Sequence, residues 1–216
     1  MNEFVEMPVN KQSKDRRKMV CGVGTNDADY MIAYRDLQEG KWARCPFYRR
    51  WTNMLYRCYN ARFHASNPTY SGCVVCIEWL LFSNFRDWME RQDWKGKDLD
   101  KDIINPELKL YSPETCRFIS IPLNRLLCDS AANRGNLPQG VFFDTGRQKY
   151  RAECRVSGKT KTLGRFHTVN EAENAYLKCK INEIERYKQQ TIDERIYAGL
   201  NRSLMEMKQR VGEICA

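Results

Sequence analysis

Long apolar runs are missing from this sequence of 216 residues. It contains no stretch of about 18 consecutive apolar residues, the length that a transmembrane helix needs. The segment 1–20 also lacks the apolar stretch of a secretory signal peptide. We therefore expect neither membrane insertion nor secretion, and we expect the protein to act in the cytoplasm.

Cysteine pairs at metal-binding spacing are scarce. One close pair, Cys73 and Cys76, is present, but the two valines between them favour a strand over a zinc knuckle. Because no export signal accompanies the ten cysteines, they predict reduced, mostly buried thiols rather than a disulfide scaffold. We expect no structural zinc. The alternative is a four-thiolate site completed from afar by Cys45, Cys58 or Cys116.

Negative charge is in deficit. The chain has 36 Lys and Arg against 27 Asp and Glu, which gives a formal net charge of +9. A polyanionic partner is the usual counterpart of such an excess. With 42% hydrophobic and 12% aromatic residues, the chain is also apolar enough to fold around a core, which excludes a wholly disordered protein.

Changes in composition and pattern divide the chain into four segments. The residues after Pro46 and after Ile77 recur at helical spacing, whereas three short strand-like runs between 140 and 168 are followed by a helical pattern. The polar stretch 129–138 separates these two parts. We predict a flexible basic arm (1–18), a first module (19–130), a second module with three strands and a helix (138–182) and a helical tail (183–216).

Three carboxylates lie close together between the two patterns. Asp98, Asp100 and Asp102 alternate with Leu99 and other residues of an extended run, so Asp100 and Asp102 are predicted to share one face of a strand. Carboxylate oxygens are the ligands that Mg²⁺ prefers, and hydrolysis of DNA uses such an ion together with a base. A solvated surface hairpin is the alternative interpretation of this run.

The segment from Leu99 to Asn124 resembles the core of HNH homing endonucleases of phages. In that family an Asp-bearing strand leads through a loop into a helix, and Asn124 follows Thr115 by nine residues, as the family's metal-binding Asn follows the Asn of its E-N-L motif. The resemblance implies a ββα-metal core in which Asp100 and Asn124 hold one divalent ion, expected to be Mg²⁺.

This chain departs from the family at the general base. Lys101 stands where the family has a histidine, and a lysine acts as a base only when burial or positive neighbours lower its pKa. Lys101 is therefore predicted to be a phosphate clamp. Asp102 is a further candidate for binding metal or water, and His64 is a candidate base reaching the site from outside the motif.

The segment from Gly140 to Lys180 resembles the three-stranded DNA-binding domain of plant ethylene-response factors, also called Apetala-like. In that family the sheet lies in the major groove and alternate residues contact bases and phosphates. Alternation along 149–156 predicts Arg151 and Arg155 on one face and Ala152 and Cys154 on the other. The predicted DNA contacts are Arg147, Lys149, Arg151, Arg155, Lys161 and Arg165. A basic solvated sheet without a ligand is the alternative.

Together these patterns predict an α+β protein. It would contain an HNH-like ββα-metal core with surrounding helices, followed by a three-stranded antiparallel sheet with its helix and a helical tail. The predicted function is a metal-dependent DNA endonuclease or site-specific nickase of phage or mobile-element type. It is expected to act in a bacterial host, as a monomer or homodimer, on double-stranded DNA. The alternative is a non-catalytic DNA-binding protein with a degenerate core. A cysteine-rich zinc adaptor ranks below both.

Overall fold

The computed structural model describes residues 4–36, 40–128 and 135–215. The chain forms two compact units that each combine helices and strands, which confirms the predicted α+β class. Unit 1 contains Met1–Lys95 and Asn105–Phe118, and unit 2 contains Gly96–Ile104 and Ile119–Ala216. The predicted separator 129–138 falls largely on 129–134, outside the described residues.

Unit 1 is built mainly of short helices and two small sheets. Its antiparallel pair is β1–β2 and its parallel pair is β3–β5. Its elements are α1 (Lys11–Asp15), β1 (Ala33–Arg35), β2 (Trp42–Arg44), α2 (Pro46–Tyr59), α3 (Ala61–Ser66), β3 (Val74–Val75), α4 (Phe82–Glu90) and β5 (Leu110–Tyr111).

Helix α2 forms where the apolar spacing predicts it. Pro46 occupies its first turn, where a missing backbone N–H costs no hydrogen bond. Its apolar stripe includes the fully buried Trp51 and Leu55, and the Trp51 indole donates to the carbonyl of Trp79 at 2.6 Å. The backbone of Gly24 lies so close that a Cβ there would fall 2.4 Å from the Leu55 side chain. These contacts make α2 the centre of the unit 1 core.

The first segment of the chain is predicted from sequence as a flexible arm, but its described part, from residue 4, is hydrogen-bonded to later residues of unit 1. The Val9 amide donates to the carbonyl of Asp29 at 3.0 Å, and Pro8 bridges to Tyr30. The Arg17 guanidinium donates to the carbonyl of Asn26 at 3.2 Å and to that of Tyr30 at 2.9 Å. A guanidinium with several rigid donors is suited to joining carbonyls in this way.

Unit 2 begins with a strand, strand, helix order. β4 (Lys97–Asp100) pairs with β6 (Arg117–Ser120), whose residues Ile119 and Ser120 belong to unit 2, and α5 (Ile121–Leu127) follows at once. The Ser120 hydroxyl accepts from the Leu123 amide at 3.4 Å, which caps α5. The strand, strand, helix order is present, but β5 of unit 1 lies between β4 and β6 in the sequence, so the predicted HNH-like core is not confirmed.

The rest of unit 2 is a three-stranded antiparallel sheet and two long helices. The sheet has the order β7 (Val141–Asp144), β8 (Lys149–Val156), β9 (Lys159–Phe166), as predicted. Helices α6 (Val169–Gln189) and α7 (Glu194–Cys215) follow.

Helix α6 starts at a capping box and packs on the sheet. Thr168 accepts from the Glu171 amide, while the Glu171 carboxylate accepts from the Thr168 amide. Its buried residues Ala172 and Tyr176 face the sheet, where Ala152 and Cys154 are also buried. One face of the sheet is therefore covered by α6. We call the opposite face the outer face.

Among the described residues, no helix is both long and apolar enough to cross a membrane.

Candidate functional site

The outer face carries most of the basic residues that the sequence singles out. Along β8, Ala152 and Cys154 are buried at 0% and 2% exposure, whereas Arg155 is exposed and Arg151 is half-buried. This confirms the predicted alternation. Arg151 and Arg155 therefore project from the outer face at the spacing of two residues along one strand.

The register of β9 corrects the position of one predicted contact. Arg165 pairs with Arg151 and Thr160 pairs with Arg155, but Lys161 pairs with the buried Cys154. The register shifts by one residue at a bulge opposite Ala152 and Glu153. Because an extra residue in one strand reverses the faces beyond it, Lys161 lies on the side opposite Arg155. Simple alternation back from Arg165 wrongly predicts it on the outer face.

The two remaining predicted contacts lie at the β7–β8 turn. Lys149 pairs with Asp144 at the last ladder position of β7, and Arg147 lies in the turn, where its amide donates to the carbonyl of Asp144 at 3.2 Å. Both residues lie at the same end of the sheet as Arg165. Five of the six predicted contacts are thus on or beside the outer face: Arg147, Lys149, Arg151, Arg155 and Arg165.

Two carboxylates orient the arginines of this face. Asp144 Oδ2 accepts from Arg165 Nε at 2.9 Å and lies 3.5 Å from Arg147 Nη1, while Glu153 Oε1 lies 2.8 Å from Arg151 Nε. The hydrogen bond from Arg165 is the main cause that lowers the pKa of Asp144, so this carboxylate is ionised at neutral pH. Arg165 is therefore directed by a hydrogen bond before any ligand arrives, whereas Arg147 and Arg151 are placed beside their carboxylates by ion pairs alone.

Lys149 and Arg155 differ from these arginines. Within the described part of the chain, neither of their side chains has an ion-pair or hydrogen-bond partner. No carboxylate of the described residues lies within ion-pair distance of either side chain, although Asp144 is the cross-strand neighbour of Lys149. They are the most available phosphate contacts of the outer face.

Phe142 adds an apolar surface that sequence reasoning missed. It pairs with Arg151 across β7 and β8, is 43% exposed, and lies under the Arg151 guanidinium at 5.7 Å from ring centre to Cζ. Asp144 was missed as well. The signal for both was the FFD run before the TG turn, because alternation places Phe142 and Asp144 on the same face of the strand.

Asp100, the predicted metal ligand, ends β4 and organises the turn that follows. Its Oδ1 accepts from the amides of Asp102 at 2.9 Å and Ile103 at 2.7 Å. Burial raises the pKa of Asp100, and these hydrogen bonds oppose the shift only in part. The extended run predicted through Asp102 therefore stops at Asp100, because the carboxylate bonds to its own backbone and bends the chain.

Lys101 and Asp102 lie in this turn rather than on a strand. Lys101 is only 6% exposed, and its Nζ donates to the exposed Asp102 carboxylate. A phosphate clamp needs a cation that reaches solvent. The burial of Lys101 against Asp102 does not suit that role.

Asn124, the second predicted metal ligand, is hydrogen-bonded to Asp98. Its Nδ2 donates to Asp98 Oδ2 at 3.2 Å, and its Oδ1 accepts from Cys128 Sγ at 3.6 Å. Among the described residues, Asn124 and Asp100 form no hydrogen bond with each other. Asp98 lies two residues before Asp100 on β4, so the strand presents it on the same face. The structure therefore brings together Asp98 and Asn124.

His64 belongs to unit 1, whereas Asp100, Lys101 and Asn124 belong to unit 2. It lies on helix α3, and its Nε2 is 2.8 Å from the carbonyl oxygen of Arg57. One ring nitrogen is thus engaged by the backbone of the preceding helix.

The cysteines show no metal cluster in the part of the chain that the structure describes. Cys73 is buried and flanks strand β3, as the β-branched residues beside it predict. Groups of three or more His, Cys, Asp or Glu side chains suited to a metal are absent from the described residues. This finding does not bear on Mg²⁺, which one or two carboxylates and waters hold.

No family model matches the chain, and no curated protein or solved structure matches it significantly.

Proposed function

We propose that the chain binds double-stranded DNA through the outer face of the β7–β9 sheet. The observation that carries this proposal is the row of Arg151, Arg155 and Arg165 on one exposed face, two of them held by carboxylates. An arginine fixed in direction presents two donors to a guanine edge or to a phosphate at low entropic cost.

The residues of the outer face fall into two groups with different tasks. Lys149 and Arg155 have no carboxylate partner in the described chain and supply contacts to phosphates, which add affinity without sequence preference. Arg151 and Arg165 are oriented by Glu153 and Asp144, and Phe142 offers an apolar surface beside them. Such oriented groups suit contacts with base edges, including the methyl group of thymine.

Binding is tested with the full chain and a random duplex pool, followed by affinity measurement on the selected duplex across a range of salt concentrations. The double variant Arg151→Gln/Arg165→Gln should bind the selected duplex at least tenfold more weakly and should lose sequence preference. The matched control is Lys178→Gln/Lys208→Gln. It also removes two positive charges, but from α6 and α7 rather than from the outer face. Equal losses in both variants would contradict the proposal.

A second candidate function is metal-dependent cleavage of DNA. It is supported by the strand, strand, helix order of β4, β6 and α5 and by the 3.2 Å contact between Asn124 and Asp98. The oxygens of Asp98 and Asn124 are of the type that Mg²⁺ accepts. Asp100 Oδ1 accepts from two amides, whereas Asn124 Oδ1 accepts, among the described residues, only from the Cys128 thiol, a weak donor, at 3.6 Å. Asp98 and Asn124 would therefore hold the ion, which would supply positive charge at a phosphate.

Conversion of supercoiled plasmid and phage DNA to open circle in Mg²⁺, with EDTA as control, tests this candidate. Asp98→Asn should abolish nicking, and Asp100→Asn should retain it, because the asparagine amide oxygen still accepts from the turn. Neither variant should change affinity for duplex DNA by more than about twofold. If the intact protein nicks neither DNA while binding both, the non-catalytic DNA-binding alternative is the better description.

A further inference from the structure

A cleft of about 320 Å³ opens on unit 1 beside the β1–β2 hairpin. The described residues that line it carry aromatic, aliphatic, small and cationic side chains, and none of these described residues carries a carboxylate. Its lining includes Trp42, Arg44 and Arg49.

Trp42 is the outlier among the tryptophans of this unit. It is 64% exposed, whereas Trp51 and Trp79 are almost wholly buried at 0% and 1%. Within the described residues its ring has no aromatic or cationic partner. An indole is large and apolar, so an exposed one lacks the stabilisation that burial gives to Trp51 and Trp79. The exposed face is available to a ligand.

Two cations lie beside this indole. Arg44 follows Trp42 by two residues on β2, so both lie on the same face of the strand, and Arg49 lies in the first turns of α2. Both are exposed, and in the described part of the chain neither guanidinium has an ion pair or hydrogen bond. This differs from Arg151 and Arg165 of the sheet, whose charges are held by carboxylates.

We propose that this cleft binds single-stranded nucleic acid, with one unpaired base stacked on Trp42 and the adjoining phosphates held by Arg44 and Arg49. Stacking on an aromatic ring tolerates any base, and cations beside the ring follow the backbone. Bases inside a duplex are stacked on each other and offer no face to the indole. The cleft therefore selects unpaired strands, and this selection does not depend on the sheet.

The test measures affinity of the full chain for labelled oligothymidylate. Trp42→Ala should weaken binding by about tenfold, equivalent to about 1.4 kcal/mol, and Trp42→Phe should retain most of it because a ring remains. Ile77→Ala is the matched apolar control, since Ile77 is 83% exposed in unit 1 and outside the cleft. A thermal melt of each variant checks that the fold is unchanged.

The phosphate contacts have their own readout. Arg44→Gln/Arg49→Gln should reduce the salt dependence, since each contact to a single strand contributes a slope of about 0.7. Arg62→Gln on α3, also exposed and outside the cleft, is the charge control for one arginine. Oligouridylate in the same assay distinguishes RNA from DNA as the source of the strand.

Quenching of tryptophan fluorescence reports stacking directly. Oligothymidylate should quench the intact protein and should quench Trp42→Phe much less, at concentrations that saturate both. Two results would overturn the proposal: a Trp42→Ala affinity equal to that of Ile77→Ala, or competition by oligoglutamate as strong as by oligothymidylate, which would indicate a general anion site. Duplex affinity should be unchanged in the Trp42 variants and lowered in Arg151→Gln/Arg165→Gln, so failure of the cleft and failure of the sheet are distinguishable.

Discussion

Arg165 on β9 donates from Nε to Oδ2 of Asp144 at the end of β7, at 2.9 Å, across the middle strand of the sheet. The pair joins the two edge strands on the face that we propose for DNA. It lies beside Arg147, whose Nη1 is 3.5 Å from the same carboxylate oxygen. Asp144 thus determines the direction of two cations.

Replacing Asp144 should separate affinity from selectivity. Asp144→Asn removes one negative charge from the outer face, so affinity for any duplex at low salt should rise severalfold. Arg165 also loses the carboxylate that orients it, so preference for the selected duplex should fall by about tenfold, which is within the range of one lost base contact. Competition between selected and random duplexes measures both. A variant with higher preference would contradict this role.

The same pair predicts a dependence on pH. Arg165 lowers the folded pKa of Asp144, so the pair stabilises the fold above the unfolded pKa and is lost as pH falls through the folded pKa. The difference in melting temperature between the intact protein and Asp144→Asn should therefore be present at neutral pH and vanish in acid. A difference that grows as pH falls would exclude this linkage.

The bulge in β9 predicts unequal effects for two cations close together in the sheet. Arg155→Gln should weaken duplex binding and reduce the magnitude of the salt slope by about 0.9, the contribution of one phosphate contact. Lys161→Gln removes the same charge from the opposite face and should change neither by much. Salt titrations of the two variants side by side check this, and equal slopes would place Lys161 at the DNA after all.

Asp100 is predicted to matter for the turn through hydrogen bonding rather than charge. Asp100→Ala loses the acceptor for two amides and should lower the free energy of unfolding by about 1–3 kcal/mol. Asp100→Asn keeps an acceptor and should be as stable as the intact protein or more so at neutral pH.

The sign of the pH effect distinguishes a role of Asp100 through hydrogen bonding from a role through its charge. Burial raises the folded pKa of Asp100, so its contribution is fully present below the unfolded pKa and is lost as pH rises through the folded pKa. Denaturant melts across that interval should show the intact protein losing stability relative to Asp100→Asn. If the intact protein became more stable relative to Asp100→Asn as the pH rises, this assignment would be contradicted.

Two glycines of α7 should respond to alanine in opposite directions. A Cβ on Gly199 would lie 2.0 Å from the carbonyl oxygen of Ile103, which also accepts from Arg202 at 2.9 Å, so Gly199→Ala should lower the free energy of unfolding by about 1–3 kcal/mol. Gly212 has no atom within 4 Å of such a Cβ. Gly212→Ala should raise the free energy of unfolding by about 0.5–1 kcal/mol, because alanine favours the helix. Denaturant unfolding of both variants is the check, and equal changes would mean that the approach to Ile103 is not tight.

Local patterns in the sequence determined the helices and strands, because their hydrogen bonds and their alternation of buried and exposed residues repeat every few residues along the chain. The apolar spacing of α2 and the alternation of Ala152 and Cys154 with Arg151 and Arg155 were predicted, because each depends on neighbours a few residues away. The α+β class and the three-stranded sheet follow from these elements.

Tertiary structure alone decided the features that depend on which distant residues meet. The bulge that moves Lys161 to the opposite face belongs to the register between β8 and β9, and the contact between Asn124 and Asp98 joins residues 26 positions apart. The turn at Asp100 overrode a strand pattern because a side-chain oxygen took the amides that a ladder would have used. The exposure of Trp42 is likewise set by packing, since nothing in its local sequence distinguishes it from the tryptophans that the core buries.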